Sequence, residues 1–379
     1  MDAFFPDPLS IPSLGIGEVA QSLELLMAAN VPDEAKEHFL VSLHTRGESA
    51  SELAGFARVL LGRAVIPVLD RSGSHPLLEL CGTGGDKAGL LNISTAAMFV
   101  AAGAGARVVK HGNRAFTSKC GSADVLEAMG VTVHLDPARV GEVLEEAGCV
   151  FMLAANFHPA VAAVAPLRRR LGERGMLTVF NLLGPLLNPA SPDYQLTGIY
   201  RPEMLTLYAE ALGLLGRKVA WAVHGEGVHA GEGVDELSIT GPSRVVAVRG
   251  ECPMEPEEFI ITPAGLGFPQ VTDPGILLGG GAVENAMRIT RILSGGETGG
   301  ARDMIVLNAA AALHLAGIGA TLREALLLAS ESIDAGRALR SLELLRSASA
   351  SAGGVGNPRF PGTQAIPQDR SRPGISRRE

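Results

Sequence analysis

The chain has no excess of positive charge, no closely spaced cysteines and no long apolar run, and each absence removes a class of function. Lysines and arginines number 32 against 40 aspartates and glutamates, a net charge of −8. Proteins that grip phosphate backbones usually present a basic face, so nucleic acid is not an expected partner. Cys81, Cys120, Cys149 and Cys252 are the four cysteines, and they show none of the C-x-x-C spacing that builds zinc or redox sites. They read as reduced thiols. No uninterrupted apolar stretch reaches the roughly 18 residues of a spanning helix, and MDAFFPDPLSIPS at the N-terminus has no basic segment ahead of an apolar one. No membrane partner and a cytoplasmic location are therefore expected. What is present is ordinary globular material: 379 residues, 46% hydrophobic and 19% charged, enough for one large domain or two to three smaller ones. No internal repeat is visible.

From Val19 to Leu69 the apolar spacing is helical, in VAQSLELLMAAN, PDEAKEHFLVSLHTRG and SASELAGFARVLLGRAV, with Asp33 placed to cap a helix that runs to Gly47. Beyond Pro76, short apolar runs alternate with helical patterns. The runs are LLEL (77–80), ARVVK (106–110), VTVHL (131–135), CVFML (149–153), LTVFNLLG (177–184), AWAVHG (220–225) and RVVAVRG (244–250). Such alternation predicts an α/β fold with a largely parallel sheet flanked by helices, preceded by a small all-helical domain. HPAVAAVAPLRRRLGE (158–173) reads as helical and as returning to the first unit, and four helical segments close the chain. The domain reading is a helical domain at 1–75 joined by a returning segment at about 158–185, an α/β domain made of 76–157 and 186–346, and a tail at 347–379. The tail is rich in Ser, Gly, Pro and Arg and poor in aliphatic residues, so it cannot offset its ordering entropy and is expected to be disordered.

Three stretches could carry chemistry. In LLELCGTGGDKAGLLNISTAAMFVAAGAG a strand-like run feeds Gly82-Thr83-Gly84-Gly85-Asp86, and Asn92-Ile93-Ser94-Thr95 opens an apolar helix. Glycines let backbone N–H groups approach an anion, and a helix N-terminus favours phosphate; a glycine turn followed by an ordinary Ser or Thr cap reads the same way. Asp86 beside these glycines suits a site that also meets a metal or a sugar hydroxyl, and Ser94 can offer a hydroxyl to a metal. In VVKHGNRAFTSKCGSADVLEAMG, Lys110 ends a strand at the sheet edge where open α/β folds place ligands. Lys110 is a point charge, Asn113 a two-way hydrogen bonder, and Thr117, Ser118 and Ser122 carry hydroxyls for phosphate oxygens. Asp235-Glu236, after a glycine-rich loop, is an acid pair suited to Mg²⁺, which typically takes one or two protein carboxylates plus substrate phosphates. His158 and the run Arg168-Arg169-Arg170 default to packing and to a solvated helix face.

Taken in order, GTGGD, NIST, KHGNR with GSADVLE, NFHPA, FNLLGPLLNP, DELS and RDMIVLNAAAAL resemble the anthranilate phosphoribosyltransferase family, over about residues 19–345. GTGGD alone is weak; KHGNR followed by GSAD and FNLLGP is highly specific. The resemblance implies that phosphoribosyl pyrophosphate is held by Gly82, Gly85, Asp86, Asn92, Ile93, Ser94 and Thr95, and by Lys110, Asn113, Arg114, Ser118 and Ser122 of a mobile loop. It implies two Mg²⁺ ions on Ser94, Asp235 and Glu236, and anthranilate on Gly82, Asn113 and Arg168 with His111 and His158 lining its approach. Arg168 thereby becomes a carboxylate partner, since Arg pairs a carboxylate bidentately. The implied reaction is displacement of pyrophosphate from ribose C1′ by the anthranilate amine, with Asp235 and Glu236 acting through the metal and His111 a candidate proton relay. A homodimer through the N-terminal helices is implied too, and the apolar Leu23, Leu25, Leu26, Met27, Phe39, Leu40 and Leu43 exceed what a two-helix face needs.

Departures from the family pattern are local. Where the family reads LGIRTIFN, Leu171 to Val179 precede Phe180 with three extra residues, so that Arg174 or Leu177 takes the place of the family's Arg. The loop between His224 and Asp235 is long, Leu90 replaces a usual hydroxyl residue, and Phe157 stands where Tyr often precedes His-Pro. The competing readings are a pyrimidine nucleoside phosphorylase-like enzyme and a non-catalytic nucleic-acid-binding relative. DELS, Arg168 and FNLLGP have roles only in the transferase, and the acidic charge opposes the nucleic-acid binder.

Overall fold

A computed structural model describes residues 4–71, 76–86, 88–115, 119–227, 232–250, 255–269, 271 and 273–353. Among these, eight strands form one sheet: β1 Leu77–Gly82, β2 Arg107–Gly112, β3 Cys149–Leu153, β4 Tyr194–Gly198, β5 Val219–Glu226, β6 Gly233–Val234, β7 Ser243–Arg249 and β8 Glu257–Ile261. Their order is β3-β2-β1-β4-β5-β7-β8, with β6 against β5. The five strands from β3 to β5 are parallel, whereas β6, β7 and β8 run antiparallel. The expected mixture of helical unit and largely parallel sheet is therefore present. Strands β1 to β3 step one way from the centre and β4 the other, so the sheet reverses direction between β1 and β4. Open α/β sheets bind ligands outside the carboxyl ends of the strands at such a reversal.

Helix Ile93–Gly103 is buried on nearly every side, which explains its lack of a polar face: it lies between the sheet and helices Gly300–Leu315 and Arg337–Ser351. The N-terminal unit consists of helices Ile16–Met27, Asp33–Arg46 and Ala50–Leu61. Helix Asp33–Arg46 stops where Gly47 takes φ 91°, a conformation that favours glycine. Ser49 caps the next helix, accepting from Glu52 N–H while Glu52 accepts from Ser49 N–H. Asp33 itself is the first helical residue rather than the cap, a position occupied by Pro32, and its carboxylate pairs with Arg170.

Segment 164–180 packs against the N-terminal helices. Val164, Leu167, Leu171, Val179 and Phe180 share a core with Leu23, Leu26, Phe39, Leu40 and Leu43. Most of the apolar surplus of the N-terminal helices is thus covered inside the chain, Leu25 staying outside this core, and it no longer argues for a partner. That core also takes in Tyr208, Leu212, Ala220 and Ala222, so the helical unit is continuous with one face of the sheet.

Some short apolar runs take other forms. VTVHL makes only an isolated bridge, Leu135 with Gly353, and LTVFNLLG contains helix Val179–Leu182 followed by a 3-10 turn at Gly184–Leu186. A buried run of this length has no periodicity to separate strand from helix; here Thr178 and Asn181 form a capping box that starts a helix. Strands β4, β6 and β8 are not among the expected runs. Helix Arg337–Ser351 continues past the boundary at 346, and the tail beyond Gly353 lies outside the described residues.

Candidate active site

The carboxyl ends of β1, β2 and β4 meet the acid pair. Asp235 sits so close to β1 and β4 that a Cβ on Gly82 would lie 2.3 Å from its Oδ2, and one on Gly198 would lie 1.5 Å from its carbonyl oxygen. Only glycine fits at either position. Gly84, at φ 66°, donates its N–H to Asp235 Oδ2 at 2.7 Å, and Asp86 accepts from Ala88 N–H at 3.2 Å. Glu236 accepts from Ser94 N–H at 3.1 Å, at the start of helix Ile93–Gly103. Lys110 is buried, donating from Nζ to the Leu80 carbonyl at 2.7 Å and to Ser94 Oγ at 3.1 Å. Loss of water raises the Asp235 carboxyl to about 7, with Asp86 adding to the rise and Gly84 N–H opposing it. Desolvation and then Asp235 push Glu236 well above the usual carboxylate range, with Lys110 opposing. Burial lowers Lys110, and the surrounding carboxylates resist that. Negative charge is therefore crowded at one spot.

Side chains around this cradle fix its rim. Asn92 donates to the Cys120 carbonyl and accepts from Asn285, joining the Cys120 loop to helix Ala282–Leu293. Thr95 donates to Ser122 Oγ at 3.1 Å, whereas the Ile93 side chain is buried in the core. Ser118 and Thr117 lie outside the described residues. The neighbours of that stretch are tied together by Asp124, whose Oδ2 accepts from Ala115 N–H at 2.9 Å and Gly121 N–H at 2.8 Å. Asn113 is exposed and accepts from Arg114 N–H. Arg114 makes a bidentate contact to Glu127 and a longer one to Asp124. A second residue beyond the sequence reading is Asn308, buried in helix Gly300–Leu315. It accepts from Leu237 N–H and donates to the Leu237 carbonyl, both at 2.9 Å. Its motif RDMIVLNAAAAL was visible, but its contact with the residue after Glu236 depends on the fold.

Across the cleft the chemistry differs. His111 and His158 stack edge to face with ring centroids 5.1 Å apart. Both are buried, and His111 Nε2 and both nitrogens of His158 make no well-formed hydrogen bond among the described residues. Desolvation, then the neighbouring His158, pushes His111 down to about 3, and desolvation lowers His158 against a weak pull from the Leu187 carbonyl. Both rings are neutral at pH 7. Arg168, half-buried, lies over the Phe180 ring at 5.6 Å and reaches the Phe180 carbonyl at 3.4 Å. Among the described residues it has no carboxylate partner. Arg170 pairs with Asp33 and Glu37, and Arg174 pairs with Glu37. The arginine run thus divides, with Arg168 turned to Phe180 and Arg170 turned to the N-terminal unit.

This arrangement has known counterparts. A family described as "Glycosyl transferase family, a/b domain" matches residues 74–339. A protein of Roseiflexus castenholzii named anthranilate phosphoribosyltransferase is 45% identical over 328 residues, 86% of this chain and 92% of that protein. The chain belongs to the anthranilate phosphoribosyltransferase family. It is accordingly an enzyme, a glycosyltransferase. Among solved structures, the anthranilate phosphoribosyltransferase of Thermus thermophilus superposes with a TM-score of 0.80 at 40% identity, covering 91% of this chain and all (100%) of that one. The Saccharomyces cerevisiae enzyme, solved in complex with PRPP and Mg, gives 0.76 at 28% identity, covering 89% and 92%. Against the family pattern, the extra residues before Phe180 leave Arg174 facing Glu37 of the helical unit rather than the Phe180 side.

Proposed function

We propose that this chain transfers the phosphoribosyl group of phosphoribosyl pyrophosphate to the amine of anthranilate, giving N-(5-phosphoribosyl)anthranilate and pyrophosphate, a step of tryptophan biosynthesis. One observation carries the reading: the carboxylates of Asp235 and Glu236 crowd together with only Lys110 to offset them, while Arg168 has no carboxylate partner among the described residues. A metal pyrophosphate satisfies the first and the anthranilate carboxylate the second.

The acid pair and the Ser94 hydroxyl fit Mg²⁺, which typically takes one or two protein carboxylates and completes its shell with phosphate and water. Two ions are proposed on Ser94, Asp235 and Glu236. Bound there, Mg²⁺ neutralises charge developing on the leaving pyrophosphate. The chain's own residues do the rest. Lys110 adds a fixed positive charge, the glycine loop 82–85 and the start of helix Ile93–Gly103 supply backbone N–H groups, and Asn113 and Ser122 border the phosphate side. Arg168 orients the acceptor by its carboxylate, so that the neutral aryl amine faces C1′. His111, so reluctant to take a proton, is suited to receiving a hydrogen bond from the amine and to passing on the proton of the strongly acidic anilinium formed by attack. No covalent intermediate is needed.

A homodimer through the N-terminal helices is part of the proposal, as is a cytoplasmic location. Leu9 and Ile16 remain 60% and 71% exposed on that unit, and light scattering that returns the 39.3 kDa monomer mass at micromolar concentration would refute the dimer. The activity itself is tested by loss of anthranilate fluorescence. Turnover is expected with phosphoribosyl pyrophosphate and Mg²⁺ and none with thymidine plus phosphate; the reverse result overturns the assignment in favour of a phosphorylase.

A further inference from the structure

Strands β1 and β2 are neighbours, yet they part company at the site. Their ladder pairs Leu77 with Arg107 and Leu78 with Val108; beyond it, side chains take over bonds that backbone would otherwise make. Glu79 of β1 accepts from His111 N–H at 3.2 Å, and Asn188, reaching in from the segment after Pro185, donates to the Val109 carbonyl at 2.8 Å. Lys110 Nζ fills the remaining space by donating to the Leu80 carbonyl. Behind them stand Gln195 and Arg217. Arg217 Nε donates to Gln195 Oε1 at 2.8 Å, and Gln195 Nε2 donates to the Pro185 carbonyl at 2.7 Å. Glu79, Asn188, Gln195 and Arg217 are all buried.

Burying an acid and a guanidinium is costly unless every lone pair and proton is matched. Here Glu79 Oε2 and Arg217 Nη2 have no hydrogen-bond partner among the described residues. Stability alone gives no reason for such a group at the centre of a sheet, where an apolar pair of similar volume would pack well. The main-chain atoms it holds are the informative part: Val109 and His111 flank Lys110 on the phosphate side, and Pro185 lies in the stretch that follows Phe180, against which Arg168 rests. We propose that Glu79 and Asn188, backed by Gln195 and Arg217, are positioning residues: a polar wedge that holds β1 and β2 apart and fixes the spacing between the phosphoribosyl side and the amine side of the site. The inference rests on the transfer reaction proposed above, since it concerns the alignment of two substrates. Alignment acts on the chemical step, so its loss lowers kcat without weakening either binding half.

The test replaces the wedge by apolar residues in the double variant Glu79→Leu/Arg217→Met, which leaves neither charge buried alone. Folding is checked by circular dichroism. Wild type and variant are then compared for kcat, for KM of each substrate, and for amide hydrogen exchange at residues 107–112 and 184–190. The expected result is a loss of tenfold or more in kcat, both KM values within about twofold, faster exchange in those two segments, and recovery of most of the lost rate in the single variant Glu79→Gln, which keeps an acceptor for His111 N–H. A double variant with kcat within twofold of wild type overturns the wedge, as does a loss matched by a rise in one substrate's KM. If wild type itself does not turn over, the proposed function fails and exchange alone judges the wedge: unchanged protection at both segments overturns it.

Discussion

The two sides of the cleft are electrostatic opposites built from the same kind of material. On the phosphate side, Asp235 and Glu236 stand beside one lysine, and desolvation raises both acids until they resist ionising. On the amine side, Arg168 faces a ring and a carbonyl, and His111 and His158 are dried into neutrality. One side waits for positive charge and the other for a single carboxylate. Under the proposed transfer the contrast sorts the substrates: the acids with their metal take the polyanion, and Arg168 takes the small aromatic acid. Perturbed groups of both signs in one cleft are more typical of a working site than of a structural ion pair.

Removing the acid side should do the most damage. Glu236→Ala is expected to lower kcat/KM by about 10²-fold or more, because the leaving pyrophosphate then departs with uncompensated charge. Steady-state kinetics at saturating Mg²⁺ check this. Activity within about threefold of wild type, roughly 0.7 kcal/mol, would remove Glu236 from the metal site and the contrast with it.

The amine side is broken more gently. Arg168→Ala should raise KM for anthranilate by about 10- to 100-fold, in keeping with a charged hydrogen bond worth roughly 1.5–3 kcal/mol, and leave KM for phosphoribosyl pyrophosphate nearly unchanged. Arg168→Lys should rescue part of the loss, since charge returns without the planar fork. Equal effects on both substrates would make Arg168 a support for Phe180 and nothing more.

How far this contrast could be read from the chain depends on whether a residue's role is local. The glycine loop, the acid pair and the Lys110 segment announce themselves because glycine, hard carboxylates and a strand-terminal lysine are chemically conspicuous in sequence. Arg168 is singled out only by the family resemblance: in a run of three arginines its neighbours look identical, and packing shows that Arg170 pairs with Asp33 and Glu37 while Arg168 meets no acid among the described residues. Asn308 and Asp124 are equally silent, because each acts on main-chain atoms, and those of Leu237 lie far from Asn308 in sequence. LTVFNLLG misleads for a different reason. It is buried between two layers, and burial hides the period that would separate a helix from a strand.

The smallest expected effect sharpens the contrast by titration. Glu79 lies beneath both sides, and burial raises its carboxyl from an ordinary 4.5 to about 7, with Arg217 and the Asn188 amide pulling it partly back. Between these pH values the unfolded chain has released this proton and the folded chain still holds it. The Glu79 contribution to stability is therefore full below about 4.5, falls as pH rises, and levels off above about 7. His111, held down at about 3, works in the opposite sense, its contribution being lost as pH falls below 6.5. A raw melting curve mixes the two. Comparing Glu79→Gln with wild type isolates Glu79, because the histidines and the metal acids titrate in both proteins. Without metal or substrate, the melting temperature of Glu79→Gln relative to wild type should rise on going from pH 4.5 to pH 8, by on the order of a few degrees for a chain of this size. Differential scanning calorimetry at the two pH values reads the change directly. A difference that stays constant would mean that Glu79 ionises as easily in the folded protein as in the unfolded chain, and the floor of the cleft would be far wetter than its burial implies.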